Sequence, residues 1–357
     1  MLSLFNKKIQ SLWGLHISDR HLRVAEVTGN TKDWKISKLG RIDIPEGTVE
    51  KGIIKNIEVF GSSLAEIKSK AFPKKIDSPY VAVKLAEEHT FFRTIELPDM
   101  KPDEIDEAIQ WEAESNIPLP LEKVYLSWET LPEKKDKNIS ILLAATSKDV
   151  IDSIISVLDR YNLIPLFIEP ESTSLVRGLA ETDEKLFDSQ GVLILNLKES
   201  YTHLIAFEDR VVRLSTILDV CSKNFDKDME IKLGIKPNEA EEIRKQIGWN
   251  EGHPSFDKIA SAINPSFVSI KKEIETALSF YHDKYSKPIS SILLTGEIKS
   301  KWIGFDRILE KTVKIPTRWQ NDWNPEKWPQ NCPYVDQGKE EYNIVIGLAL
   351  RKLEGEI

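Results

Sequence analysis

Cysteine is scarce, with two in 357 residues. Cys221 and Cys332 show none of the close spacing that a metal site needs. A chain this long buries a real core without a disulfide framework, so the scarcity reads as that of a reducing compartment, the cytoplasm. Long apolar runs are missing too: no stretch approaches the roughly 20 residues that span a bilayer. The N-terminus also lacks a long apolar signal core with a small-residue cleavage site. Any meeting with a membrane is then expected at its surface or through a partner. Blocks of basic residues are the third absence. With a formal net charge of -8 and nothing to offset it locally, the chain repels a polyanion, which argues against nucleic acid as a partner.

What is present is an ordinary globular composition, 41% hydrophobic, with length enough for two domains that each bury a core. The opening MLSLFNKKIQSLW places Leu2, Phe5, Ile9 and Leu12 at near-helical spacing around Lys7 and Lys8. It is either a lead-in packed on the first strand, the reading favoured by its brevity, or a short interfacial helix.

The most informative stretch runs from Arg93 to Pro120. Phe91, Arg93, Ile95 and Leu97 share one face at period two, and Pro98 ends the strand. Pro102 followed by Asp103 and Glu104 suits a helix first turn, and Ile105, Ala108, Ile109 and Ala113 continue at helical spacing as a core stripe. Trp111 and Glu112 fall off that stripe and are better placed to touch something else. Pro118 and Pro120 close the helix and hold an extended exit.

Elsewhere two similar halves are expected, one opening on strands from Trp13 to Ile44 and one on strands from Gly191 to Ile217. Each carries an insertion. In the second, Pro237 opens a charged helix and Phe267 to Tyr285 forms a long one. Trp319, Trp323 and Trp328, among prolines and asparagines, are either rings pinning a long loop to its own domain or an exposed docking patch.

Three linked motifs, RTIELP at Arg93 to Pro98, WEAE at Trp111 to Glu114 and IPLPLE at Ile117 to Glu122, resemble the signature of the type IV pilus assembly protein PilM family, actin-like relatives of the cell-division protein FtsA. Weaker similarity extends from Leu12 to Leu353. The resemblance implies an α/β, actin-like (ribonuclease H-like) two-lobed fold with an FtsA-type inserted subdomain in the first lobe and a helical insertion in the second. The expected boundaries are 1–77 with 167–190 for the first core subdomain, 78–166 for the insert, 191–220 with 286–357 for the second core subdomain, and 221–285 for the helical insertion.

The family pattern also implies ATP held between the halves by two Asp-x-Gly hairpin turns, whose glycines admit phosphates and whose aspartates hold hydrated Mg²⁺. This chain departs from it. The first turn reads Gly14, Leu15, His16, Ile17, Ser18, Asp19, with His16 for the metal-side carboxylate and Ser18 for the glycine. The second reads Asn196, Leu197, Lys198, Glu199, Ser200, again without aspartate or glycine. By its residue type His16 fits an interior imidazole better than a ligand, and Lys198 either neutralises phosphate in the metal's stead or fills space. Glu169, before Pro170, matches the glutamate that orients the attacking water and is the one catalytic candidate should hydrolysis occur. Gly296 alone survives of three purine-motif glycines, and Glu297 would crowd the base or ribose. The expected nucleotide contacts are therefore Gly14, His16, Ser18, Asp19, Asn196, Lys198, Ser200, Gly296 and Glu297, with no metal ligand, weak ATP binding and no strict need for Mg²⁺. Gly347 in IGLAL matches a site of close helix packing.

The function implied is that of a cytoplasmic scaffold of the pilus inner-membrane platform, peripheral to the membrane through its partners. It would bind the cytoplasmic N-terminal tail of a PilN-like single-span protein, with Arg93, Trp111, Glu112 and Glu114 as lining candidates. Contacts to other platform proteins and a homodimer are also implied. The alternatives are an ATP-hydrolysing actin-like ATPase or a sugar-kinase-like phosphotransferase, and an FtsA-like division protein. The sequence ends soon after GLALRKL, without the amphipathic membrane helix expected of the last.

Overall fold

The first strand, β1 (Trp13–Ile17), is buried throughout, with Trp13, Leu15 and Ile17 on one face and Gly14 and His16 on the other, so it is covered on both sides. It opens an antiparallel meander with β2 (His21–Gly29) and β3 (Trp34–Asp43). A small hairpin of β4 (Val49–Glu50) and β5 (Ile53–Ile54) leads to α1 (Ile57–Lys70), whose first turn is capped by the Asn56 side chain accepting the Val59 amide at 3.1 Å. The helix crosses to β6 (Tyr80–Leu85), parallel to β1. This structure is a computed structural model that describes residues 11–117, 119–135, 138–183, 186, 190–296, 303–334 and 338–354. The N-terminal lead-in and Glu297 lie outside the described residues.

Before completing that sheet the chain builds a separate unit. β7 (Thr90–Pro98), α2 (Pro102–Asn116), β8 (Val124–Lys135) and β9 (Asn138–Ser147) form a three-stranded antiparallel sheet in the order β7-β9-β8 with one helix on it. Ile105, Ile109 and Ala113 of α2 pack on Ile95, Leu97, Ile141 and Leu143, as the helical and period-two spacings required. Pro102 occupies the first turn, and the Glu104 carboxylate accepts the Lys101 amide at 3.1 Å. The chain then returns through α3 (Lys148–Arg160) to β10 (Ile164–Pro170), parallel to β6, and α4 (Glu171–Ala180).

The insert is thus narrower than 78–166. β6 is a nearly continuous apolar run and takes its place inside the five-stranded sheet, in the order β10-β6-β1-β2-β3. α3 buries Val150, Ile154, Val157 and Leu158 in the core of that sheet.

The chain divides into two units, one of residues Thr182–Asp322 and one of all the rest. The second unit repeats the plan of the first: β11 (Val192–Leu197), β12 (Thr202–Glu208) and β13 (Val211–Leu218) make a meander. Helices α5 (Ser222–Leu233), α6 (Pro237–Gln246) and α7 (Phe256–Tyr285) follow, then β14 (Ser291–Gly296), α8 (Phe305–Val313) and β15 (Thr317–Trp319). Its sheet order, β13-β12-β11-β14-β15, matches that of the first unit strand for strand. α7 begins earlier than Phe267 because Pro265 is carried inside it. The Ser266 amide next to that proline donates to Asp228 at 2.9 Å.

The last helix, α9 (Asn343–Leu350), belongs to the first unit rather than to the second core subdomain. It is buried on every side, between α4 and the sheet. Glycine makes this possible: a β-carbon at Gly347 would stand 1.8 Å from the Ser174 carbonyl oxygen, and one at Gly178 would stand 2.1 Å from that of Asn343. Trp323 and Trp328 lie in the same unit and are buried, Trp323 edge-to-face with Trp34 at 6.3 Å and with Trp328 at 6.2 Å. They pin the loop to its own unit, and Trp319 packs on the core of the second unit, so the docking-patch alternative falls away.

Replacing Gly347 with valine is expected to destabilise the protein by more than about 3 kcal/mol, since backbone has to move away from backbone. Urea denaturation of the variant checks this, and a midpoint equal to that of the wild type would contradict the packing described.

Candidate functional site

The first turn lies between β1 and β2. A β-carbon at Gly14 would come 2.4 Å from the Val345 carbonyl oxygen of α9, so helix packing alone requires this glycine. His16 is buried on β1, across the ladder from Arg23. Ser18 closes the hairpin with its own side chain: its hydroxyl donates to the His21 carbonyl at 2.9 Å and accepts the His21 amide at 3.1 Å. The Asp19 carboxylate accepts the amides of Lys51 and Gly52 at 3.0 and 3.1 Å, which ties it to the β4–β5 turn.

Glu169, at the end of β10, forms a two-pronged ion pair with Arg177 one helix onward, at 2.6 and 3.2 Å. The same guanidinium donates to the Gly347 carbonyl at 3.0 Å and to Glu354 at 2.8 Å. Burial works against the Arg177 charge, but the Glu169 and Glu354 carboxylates outweigh it and hold the group above its ordinary range. Beside it Lys84 of β6 pairs with Glu171 at 3.0 Å, both buried. At the start of α4 the Glu87 carboxylate accepts the Ser172 amide at 3.1 Å and its hydroxyl at 2.8 Å. A carboxylate of the chain itself therefore sits where a helix N-terminus favours an anion.

In the second unit Asn196 is buried on β11, in register with Thr295 of β14, whose hydroxyl bonds the Gln320 side chain. The Lys198 ammonium donates to the Tyr201 hydroxyl at 2.7 Å and lies 4.7 Å from the centre of that ring. Ser200 is exposed. Gly296 has φ +136°, and a β-carbon there would stand 2.0 Å from the Leu197 carbonyl oxygen. It too is required by the fold.

On the insert, Trp111 is 73% exposed on the side of α2 turned from the sheet, with Glu114 exposed near it. Glu112 is half-buried on another side of the helix. Arg93 sits in β7, its backbone paired opposite Leu143 of β9. Trp111 and Glu114 are both exposed and lie one turn apart on α2.

The model of the family described as type IV pilus assembly protein PilM matches residues 14–353. The chain belongs to the PilM family. A solved structure described as the PilM–PilN type IV pilus biogenesis complex is similar over 97% of this chain and 99% of that one, with TM-score 0.76 and 22% identity. MreB5 of Spiroplasma citri bound to AMPPNP is similar over 95% and 94%, with TM-score 0.52 and 12% identity. Nucleotide-free diol dehydratase-reactivating factor is similar over 97% and 100%, with TM-score 0.55 and 10% identity. The fold of this PilM-family chain is therefore actin-like, with the three-stranded insert in the first unit and the helices α5 to α7 in the second. No helix among the described residues is long and apolar enough to cross a membrane.

Sequence reasoning passed over Arg177, Lys84, Glu87 and Tyr201. Lys84 carried a signal, a lysine inside the apolar run YVAVKL, as did the Glu171 that follows Pro170. Glu87 and Tyr201 carried none, because their partners are set by tertiary contact or by a turn.

Arg177→Met is expected to cost about 3 kcal/mol, because it strands the largely buried Glu169 charge. The double variant Glu169→Gln with Arg177→Met should recover part of that loss in urea denaturation. Equal losses in single and double variants would refute the pairing as the cause.

Proposed function

We propose that this chain is a cytoplasmic scaffold of the type IV pilus inner-membrane platform that holds the cytoplasmic N-terminal tail of a PilN-like membrane protein. It does not turn over ATP. The observation that carries the scaffold reading is the family match across residues 14–353, and the solved relative described as a PilM–PilN complex supports the choice of partner. An extended tail fits recognition by a strand edge or groove, backbone bonds setting direction and pockets selecting side chains. The candidate contacts are on the insert, at Arg93, Trp111, Glu112 and Glu114. Through this tail the protein is peripheral to the inner membrane, beside other platform proteins, and a homodimer belongs to the same reading.

The case against turnover is chemical. Mg²⁺ favours charged oxygen donors, and in place of carboxylates the two turns offer the imidazole of His16 and the uncharged amide oxygen of Asn196. Asp19 is engaged by two amides and Glu169 by Arg177. Any ATP is held weakly at Gly14, His16, Ser18, Asp19, Asn196, Lys198, Ser200, Gly296 and Glu297, without strict need for Mg²⁺. The competing reading, an ATP-hydrolysing actin-like protein, draws on the MreB5 likeness, since that protein is described as bound to AMPPNP.

Calorimetric titration with ATP, in Mg²⁺ and then in EDTA, separates the two. Weak or absent binding, unchanged by chelation and without phosphate release, is expected. Tight binding that collapses on chelation, or measurable turnover, would establish the ATPase instead. For the scaffold reading, the full chain should bind a synthetic peptide of the PilN-like tail in a fluorescence anisotropy assay, and no binding would end it.

A further inference from the structure

The outer face of α2 is built unlike the rest of the surface. Opposite the buried stripe of Ile105, Ile109 and Ala113 runs a second stripe, Glu104, Glu107, Trp111 and Glu114, spaced three, four and three residues apart. All four are exposed, and Trp111 stands out at 73%. Glu107 lies one turn before the indole and Glu114 one turn after it, so both carboxylates flank the ring. Neither enters an ion pair among the described residues, and no basic residue occupies the last turn of the helix, where one would complement the dipole. The stripe thus joins an unburied aromatic face to uncompensated negative charge, and both attract the same kind of group.

We propose that this stripe is the docking point for a lysine or arginine of the partner's tail, the cation lying on the Trp111 indole between Glu107 and Glu114. The inference rests on the tail-binding reading and adds its chemistry. Charge complementarity selects the occupant: the acidic stripe repels acidic segments and anionic lipid headgroups, and a planar guanidinium can stack on the ring while it bonds a carboxylate on either side. The backbone of the tail supplies affinity and this contact supplies register.

The experiment uses the full chain and a fluorescein-labelled synthetic peptide of the PilN-like cytoplasmic tail. A second peptide carries citrulline for each arginine and acetyl-lysine for each lysine, similar in shape but uncharged. The expected results are about tenfold weaker binding of the neutral peptide, a similar loss for the native peptide with the E107Q/E114Q variant, and no further loss when variant and neutral peptide are combined. W111A should weaken native binding to the same extent. These residues are exposed, so an unchanged melting temperature confirms intact folding of each variant. Native and neutral peptides bound equally well by wild type, or variants that bind the native peptide as wild type does, would overturn the docking stripe and leave tail binding standing. Failure of wild type to bind either peptide would overturn both.

Discussion

The contact on which most of the first unit depends is backbone against backbone, where α9 crosses α4 and β1. Gly14, Gly178 and Gly347 each face a main-chain atom of the neighbouring element at a distance no β-carbon tolerates. Close approach has a chemical consequence. It brings the Gly347 carbonyl within reach of Arg177, and the same guanidinium takes Glu169 in a two-pronged grip. The glutamate that the actin-like pattern assigns to the attacking water is thereby tied into the architecture. A helix that arrives much later in the chain thus supplies a carbonyl to the arginine that holds it.

Internal pairing also runs along the carboxyl ends of the parallel strands of the first unit, the end at which open α/β sheets bind ligands. Lys84 and Glu171 face each other there, and Glu87 caps α4. Glu87 lies in the short turn just before β7, so the cap also fastens the root of the insert to the core. A Tyr125 to Asp152 bond at 2.8 Å adds a second tie, from β8 to α3.

The appendage presents α2. Its stability comes from one side, the packing of Ile105, Ile109 and Ala113, and from its N-terminus, where Pro102 and Glu104 suit the dipole. Acidic residues toward the C-terminus work against it, each by about 0.3–1 kcal/mol at an exposed site. Packing bears that cost.

The strands, the helices and the doubled plan were legible because burial imposes periodicity. Phe91, Arg93, Ile95 and Leu97 read as one face of a strand, and the spacing of Ile105, Ile109 and Ala113 reads as a helix with one buried side. The motifs from Arg93 to Glu122 pointed to the family, and the missing aspartates of both turns were visible by inspection. Boundaries were less legible: β6 and α3 lie beside the insert in sequence but in the core by packing, and α9 joins the first unit although it follows the second. Local pattern determined what each segment is, since it depends only on neighbours a few residues apart. Which segments meet, why Gly14 and Gly296 are glycines, and what already occupies Asp19, Glu169 and Lys198 were decided by tertiary structure, because those partners are fixed by shape and distance in space rather than by spacing along the chain.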